Sequence, residues 1–401
     1  MVCGLWTGRG VLMKRQAVLA IDVGATKVAW AIGQPGLDRG VAIPGQPPRP
    51  PFDLLGCGIA PLAASKGSWP GDPIGLAETL ERALSEAGIS RVPEYGVAAL
   101  SHPALQHRQA AAHVDLADEP VTIRGRDLER VQALAVTHTL AIDREVLVVE
   151  PLGYSGNGFS GVADPRGLTA TRLSGTFHLV TVPVAVRRVM RQALELLGVE
   201  LERMTSSLKA SIASGIVDEW KEERVLVVDL GGLSCDVALL DHGSLINSQT
   251  VPWGGELVVQ AVARECRLPW DRALAVTLQG FHAKPEVSAL LENQLGALRG
   301  YLEAFLRDEL PPARAVVTGR ASLIDGLIER LETALGVPAS LGRSPWARAL
   351  GELPRQVALS PVLGMLALGL ERSESQVAVG VSSRLIDRLL TRTKQILVEY
   401  F

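Results

Sequence analysis

The chain of 401 residues has only four cysteines, Cys3, Cys57, Cys235 and Cys266, with no C-x-x-C pair and no cysteine–histidine cluster at metal spacing. That excludes a disulfide framework and a locally encoded zinc site, and it suits a reducing compartment. No apolar run approaches the roughly 18 residues needed to cross a bilayer as a helix. The first dozen residues lack an apolar signal region, and Met13-Lys14-Arg15 reads as the functional start, leaving residues 1–12 as an expected disordered extension. Excess charge is missing as well. Forty Lys and Arg stand against 43 Asp and Glu, a formal net charge of -3 without basic runs, so nucleic acid is not an expected partner. His102, His107 and His113 are spaced as a metal cluster would be, yet no carboxylates complete the set, and they read as satisfied or solvated histidines.

What the chain does have is a motif stated twice. Val18-Leu19-Ala20-Ile21-Asp22-Val23-Gly24-Ala25-Thr26-Lys27-Val28-Ala29 returns in the second half as Val225-Leu226-Val227-Val228-Asp229-Leu230-Gly231-Gly232-Leu233-Ser234-Cys235-Asp236-Val237-Ala238. Each copy is an apolar β-branched run, Asp, a glycine turn with small or hydroxylated residues, and a second apolar run, which predicts a strand, a tight turn and a return strand. Glycine lets the turn backbone approach a ligand, and converging amides there suit an anion. Asp22 and Asp229, at the strand ends, are candidate holders of a metal ion through water. Thr26, Lys27 and Ser234 are candidate donors to phosphate oxygens.

A third segment, Arg314 to Leu327, predicts a short buried strand, a turn at Gly319-Arg320-Ala321-Ser322, and a helix running to about Leu335. Gly254 and Gly255, after Trp253, are candidates either for ligand contact or for simple helix entry. Strand-like runs at Val18 to Ile21, Lys27 to Ile32, Val97 to Leu100, Val146 to Val149, Phe177 to Val182, Val225 to Asp229 and Ala315 to Val317 alternate with helical patterns such as Ile74 to Ala87. That alternation predicts an α/β architecture. With 47% hydrophobic residues the chain builds ordinary packed cores, in two or three domains by its length. Pro44 to Pro51 reads as a surface loop.

Phosphate loop, second phosphate loop and adenosine loop, in this order and spacing, resemble the actin-like ATPase fold. Between them lie Asp127-Leu128-Glu129-Arg130-Val131, then Asp143-Arg144-Glu145 leading through Glu150-Pro151-Leu152-Gly153-Tyr154, and then Asp164-Pro165-Arg166-Gly167-Leu168. This succession resembles the FtsA family, actin-like bacterial cell-division proteins that tie FtsZ filaments to the membrane. The resemblance runs from Met13 to Phe401. It implies a two-lobed actin-like fold with an inserted SHS2 subdomain, 1C, at residues 102–176. Subdomain 1A would span 13–101 and 177–209, 2A would span 210–245 and 313–370, and 2B would span 246–312, followed by a linker at 371–382 and an amphipathic membrane-targeting helix at 383–401. It also implies ATP and Mg²⁺ as ligands, self-association into filaments, the FtsZ C-terminal tail bound by 2B, other divisome partners, and a peripheral location on the cytoplasmic side of the membrane at the division site. PilM-like pilus-assembly proteins share the fold and insertion but lack a terminal membrane helix. ROK-type sugar kinases share the first phosphate loop, but their Asn-Asp pair and zinc motif are missing here.

Two positions depart from the family's pattern. Leu233 stands where the second phosphate loop usually has a third glycine, and Arg320 where the adenosine loop usually has a second. A β-carbon at either narrows the nucleotide's approach, while Arg320 offers an alternative reach to phosphate. The turn around Ser206 to Ser211 holds no Gln, Asp or Glu to orient an attacking water, so the resemblance implies slow hydrolysis at most.

The tail reads as an interfacial helix. At about 100° per residue, Leu385, Ile386, Leu389, Leu390, Ile396, Leu397, Tyr400 and Phe401 fall within an arc of roughly 160°. Arg384, Arg388 and Arg392 lie on the other face with Asp387 and Glu399, and Lys394 lies at its edge. Such a helix, capped by Ser382 or Ser383, lies on anionic lipid with its apolar face down.

Overall fold

The structure, a computed structural model, describes residues 17–36, 49–62 and 69–375. The expected N-terminal extension, most of the Pro44 to Pro51 loop, and the tail helix with all of its candidate membrane residues lie outside the described residues.

The first lobe opens with β1 (Val18–Val23), β2 (Lys27–Pro35) and β3 (Phe52–Pro61), followed by α1 (Pro73–Glu86) and β4 (Tyr95–Leu100). All six residues of β1 are buried, as a strand covered on both faces requires, hence its continuous apolar run. Asp72 starts α1 by accepting from the backbone N–H groups of Ile74 and Gly75, with Pro73 at the first helical position. α1 thereby provides the crossover that lets β4 lie parallel to β1.

The chain then leaves the lobe through β5 (Gln106–Asp115), β6 (Val121–Thr122), α2 (Gly125–Thr139), β7 (Arg144–Gly156), β8 (Phe159–Val162), β9 (Thr169–Ala170) and β10 (Arg172–Pro183). Four of these strands form one sheet in the order β5-β10-β7-β8, and α2 buries Val131, Ala135 and Val136 against it beside Phe177 and Leu179. β10 runs unbroken through residue 176, the expected end of the insertion, because its pairing with β5 and β7 continues to Thr181 and Pro183. The chain re-enters the first lobe at α3 (Val184–Leu196), then β11 (Glu200–Ser206) and α4 (Ser207–Ala213).

The second lobe repeats the first. Its strands β12 (Arg224–Leu230), β13 (Cys235–Asp241) and β14 (Ser244–Val251) precede α5 (Gly255–Glu265), α6 (Trp270–Leu278) and α7 (Pro285–Leu306). β15 (Arg314–Thr318), α8 (Leu327–Leu335) and β16 (Ala339–Leu341) complete it, and α9 (Leu353–Ser375) returns to the first lobe. The two large sheets have equivalent orders, β11-β4-β1-β2-β3 and β16-β15-β12-β13-β14. β1 and β12 therefore hold the same place, each with an antiparallel hairpin partner on one side and a parallel strand on the other.

α9 is the one described helix long and apolar enough to cross a membrane, and its Leu353–Glu371 stretch is 72% buried within the protein. Leu359, Val362, Leu363 and Leu366 pack on β1, β2 and β4, so it is a core helix. It also continues through Ser375, into the first part of the segment expected as a linker.

Candidate functional site

The turns of both hairpins and the turn after β15 line one cavity of about 370 Å³, between the lobes and beyond the carboxyl ends of β1, β4, β12 and β15. Ligands collect at such strand ends in open α/β sheets, and the size falls within the usual range for a small-molecule site. In the first lobe, Gly24 N–H donates to Lys27 O at 3.0 Å and closes the turn. In the second, Gly231 N–H donates to Ser234 O at 3.1 Å. The turns nearly touch across the cleft: a β-carbon on Gly232 would lie 3.3 Å from Ala25 Cβ.

Gly319 carries the third turn. Its φ of 83° is left-handed, and a β-carbon there would lie 2.4 Å from Asp229 Oδ1 and 2.5 Å from Leu230 O. Only glycine lets this turn sit against β12. The residues after it do not begin an α-helix directly. Arg320–Leu323 forms a short 3-10 turn, and left-handed Gly326 separates it from α8. Ser322 Oγ donates to Gly319 O at 2.6 Å, and Ser322 stands behind the lining, so its hydroxyl closes the turn.

The cavity is lined by Asp22, Gly24, Ala25, Thr26, Lys27, Asp229, Gly231, Gly232, Leu233, Ser234, Gly255, Arg320 and Ala321, along with Gly319. Gly254 is not in the lining. A β-carbon there would come within 2.2 Å of Gly232 O, so this glycine serves close packing of the α5 entry on the second turn. Behind it, Gly255 N–H and Glu256 N–H donate to Gly231 O and Gly232 O, each at 2.9 Å.

Sequence reasoning missed Ser101 and Ser207, which reach the site from the ends of β4 and β11. It also missed an apolar wall of Val259, Leu274, Leu278 and Ile324. Leu274 and Leu278 offered the sequence only their spacing, four apart on α6; that they remain 37% and 45% exposed emerges from the fold. α9 contributes Pro354, Val357, Ala358 and Pro361. The three histidines do not meet. His113 is exposed, and His102 packs edge-on against Trp69. Burial, with Arg144 nearby, lowers His102 to about 4.

Charge in the floor is unbalanced. Lys27 Nζ lies 2.9 Å from Asp22 Oδ2 and 3.1 Å from Ala358 O, and Ser207 Oγ donates to Asp22 Oδ1 at 2.5 Å. Asp229 is pushed up to about 8 by burial, then by the neighbouring Asp236 and Asp22 carboxylates, with Lys27 acting in opposition. Asp236, opposite Asp229 in the β12–β13 register, rises to about 6 through burial, offset by hydroxyl bonds from Thr250 and Ser101.

Residues 103–181 match the model of the SHS2 domain inserted in FtsA. The cell division protein FtsA of Pseudomonas aeruginosa is 24% identical over 91% of this chain and 92% of its own length. The chain carries an SHS2 insertion like that of FtsA and is similar, over most of its length, to actin-like cell-division proteins of the FtsA type. FtsA of Neisseria meningitidis serogroup B is 20% identical over 88% of this chain and 90% of the relative. Among solved structures, a chain of the PilM-PilN type IV pilus biogenesis complex superposes with a TM-score of 0.64 at 18% identity, covering 89% of this chain and 98% of that one. At that identity the likeness speaks for the fold, which both share as an actin-like body.

Proposed function

We propose that the cavity holds ATP with Mg²⁺, and that the chain is a self-assembling tether fixing FtsZ filaments to the cytoplasmic face of the membrane at the division site. The nucleotide part rests on the convergence of two equivalent hairpin turns and the Gly319 turn on one cavity. In this reading the phosphates lie between Gly24 to Thr26 and Gly231 to Ser234, facing turn backbone and hydroxyls. The base lies on the apolar wall of Val259, Leu274, Leu278 and Ile324.

The residues fit a divalent cation. Asp22, Asp229 and Asp236 crowd together with Lys27, and a cation would offset the burial and the carboxylate repulsion that together lift Asp229. Among the described residues no three His, Cys, Asp or Glu side chains form a direct coordination shell. Asp22 and Asp229 would therefore hold Mg²⁺ through water, where it would neutralise phosphate charge. Turnover is slow in this reading, because Ser206 to Ser211 supply no acid or amide to orient water.

Assembly and anchoring rest on the FtsA relationship and on the sequence of the tail. The helical unit α5 to α7 is the proposed seat of the FtsZ C-terminal tail, and Arg384 to Phe401 the contact with anionic lipid. Vesicle flotation tests both. FtsZ should rise with anionic vesicles only when the full chain is present, and a chain ending at residue 375 should leave it behind. Vesicles that carry the chain while FtsZ stays in solution would refute the tethering reading. In calorimetry, Asp22→Ala and Gly231→Val should both weaken ATP binding. A turnover near the enzyme median of about 10 per second would contradict slow hydrolysis.

A further inference from the structure

Arg320 is a long cation in a turn otherwise made of small side chains, Gly319, Ala321 and Ser322. Gly319 is held against the Asp229 carboxylate and the Leu230 backbone, which fixes the base from which Arg320 projects. From there the side chain crosses the cleft, and its Nη1 donates to Thr26 Oγ1 at 3.3 Å, in the turn of the opposite lobe. The cavity's other cation is directed elsewhere: Lys27 is buried on Asp22 and the Ala358 carbonyl. Among the lining residues, Arg320 is thus the cation whose bond goes to a neutral hydroxyl, while Asp22 and Glu256 are acidic.

We propose that Arg320 recognises the phosphate tail, exchanging its bond to Thr26 for charge-assisted bonds to phosphate oxygens and so grading affinity by phosphate number. This deepens the nucleotide reading of the cavity and rests on it. A guanidinium presents parallel donors to phosphate, and each bond to a charged group outweighs one to a hydroxyl. With Lys27 engaged on Asp22, the acidic groups of the floor make a cation facing the tail more necessary. The arginine thus supplies side-chain recognition where the FtsA-like pattern has only a glycine backbone. Because it bridges both lobes, the same side chain ties phosphate recognition to closure of the cleft.

The test measures ATP, ADP and adenosine binding to the full chain with Mg²⁺ by calorimetry, for wild type, Arg320→Gln and Arg320→Lys, with thermal unfolding to verify folding. Wild type should bind in the order ATP, ADP, adenosine. Arg320→Gln should lose about ten- to hundredfold in ATP affinity, the range for bonds to a charged group, leave adenosine unchanged, and weaken the salt dependence of ATP binding. Arg320→Lys should recover part of the loss. Unchanged or tighter ATP binding by Arg320→Gln would overturn the assignment, the latter marking Arg320 as a bolt on the empty cleft. An equal loss for adenosine would overturn it too, by showing a merely structural role. Failure of wild type to bind any of the three would instead sink the nucleotide reading itself.

Discussion

Ser101 Oγ lies 3.0 Å from Asp236 Oδ2, which ties the end of β4 in the first lobe to β13 in the second. The bond continues into a buried chain. Thr250 donates to the other oxygen of Asp236, His107 Nε2 lies 2.9 Å from Thr250 Oγ1, and His107 Nδ1 lies 2.7 Å from Ser248 Oγ. Ser248 in turn lies 2.7 Å from His178 Nε2. Three sheets thus meet through hydroxyls, two imidazoles and a carboxylate, with Ser101 at the cavity and both histidines in the inserted sheet. Buried polar groups are stabilised by such partners, although His178 Nδ1, on the far side of its ring, has none among the described residues.

Acid should destabilise the protein through these imidazoles. Burial holds His107 at about 3, reinforced by the His178 charge, and burial alone holds His178 at about 4. In the unfolded chain both would titrate near 6.5. Below that pH the unfolded state takes up protons that the native state refuses, so their contribution, intact above about 6.5, is lost as pH falls toward 4. Asp236 and Asp229 act oppositely, because their raised values favour the native state most below the ordinary carboxylate range and progressively less as pH rises through about 6 and 8. The informative quantity is therefore a difference. His107→Gln should cost about 1–3 kcal/mol at pH 7.5 through the lost hydroxyl bonds, and the gap from wild type should narrow on acidification. Unfolding midpoints from pH 7.5 to 4.5 read this directly, and a constant gap would contradict it.

Lys27 and Asp22 form a buried ion pair, their side chains 11% and 5% exposed. Removing one partner from such a pair strands a charge. Lys27→Met, measured without nucleotide, should lose about 3–5 kcal/mol in urea unfolding, and Lys27→Met with Asp22→Asn should recover much of it. A single-variant loss under about 1 kcal/mol would mean that Ser207 and solvent satisfy Asp22 unaided.

Gly319→Ala and Gly24→Ala separate backbone demand from ligand contact. An L-residue at the φ of Gly319 costs about 1–2 kcal/mol, and its β-carbon would also displace the Asp229 carboxylate, so stability and nucleotide binding should fall together. At Gly24 the nearest atom to an added β-carbon is 3.8 Å away, so stability should stay within about 0.5 kcal/mol of wild type, and any loss of binding there reports contact with the ligand. Thermal unfolding paired with calorimetry on both variants checks this. Equal stability losses would remove the distinction.

Both hairpins and the strand leading to Gly319 were legible because strand, Asp, glycine and strand follow one another locally, and backbone chemistry alone decides them. The equivalent strand orders of the two large sheets, which the repeat alone did not state, emerge only in the fold. What could not be read comes from distant chain segments. Ser101 and Ser207 reach the site at strand ends with no motif of their own, and Ala358 offers only a carbonyl. The bond from Arg320 to Thr26 exists only once both lobes are placed. Gly254 and Ser322 show the converse. They sit in the right motifs, yet one is claimed by packing on Gly232 and the other by the turn's own carbonyl. Small residues near a site are ambiguous in sequence because turn closure and ligand contact select the same residue types.

Membrane attachment should depend on the apolar face of residues 384–401. Burying apolar surface contributes roughly 25 cal/mol per Å², so a single short helix gives modest, reversible attachment, and stable binding needs many tails displayed together along a filament. Leu389→Asp places a charge at the centre of that face and should abolish binding to anionic vesicles while leaving thermal unfolding unchanged. Arg388→Glu should weaken binding to anionic vesicles more than to neutral ones, because it reverses an attraction worth about 1 kcal/mol per basic residue near a charged surface. The alternative is a helix packed on the body of the protein, and it predicts the opposite pattern. A chain ending at residue 375 would then unfold at a lower temperature, and its vesicle binding would equal that of the full chain. Flotation and unfolding measured side by side on these three variants decide between the two.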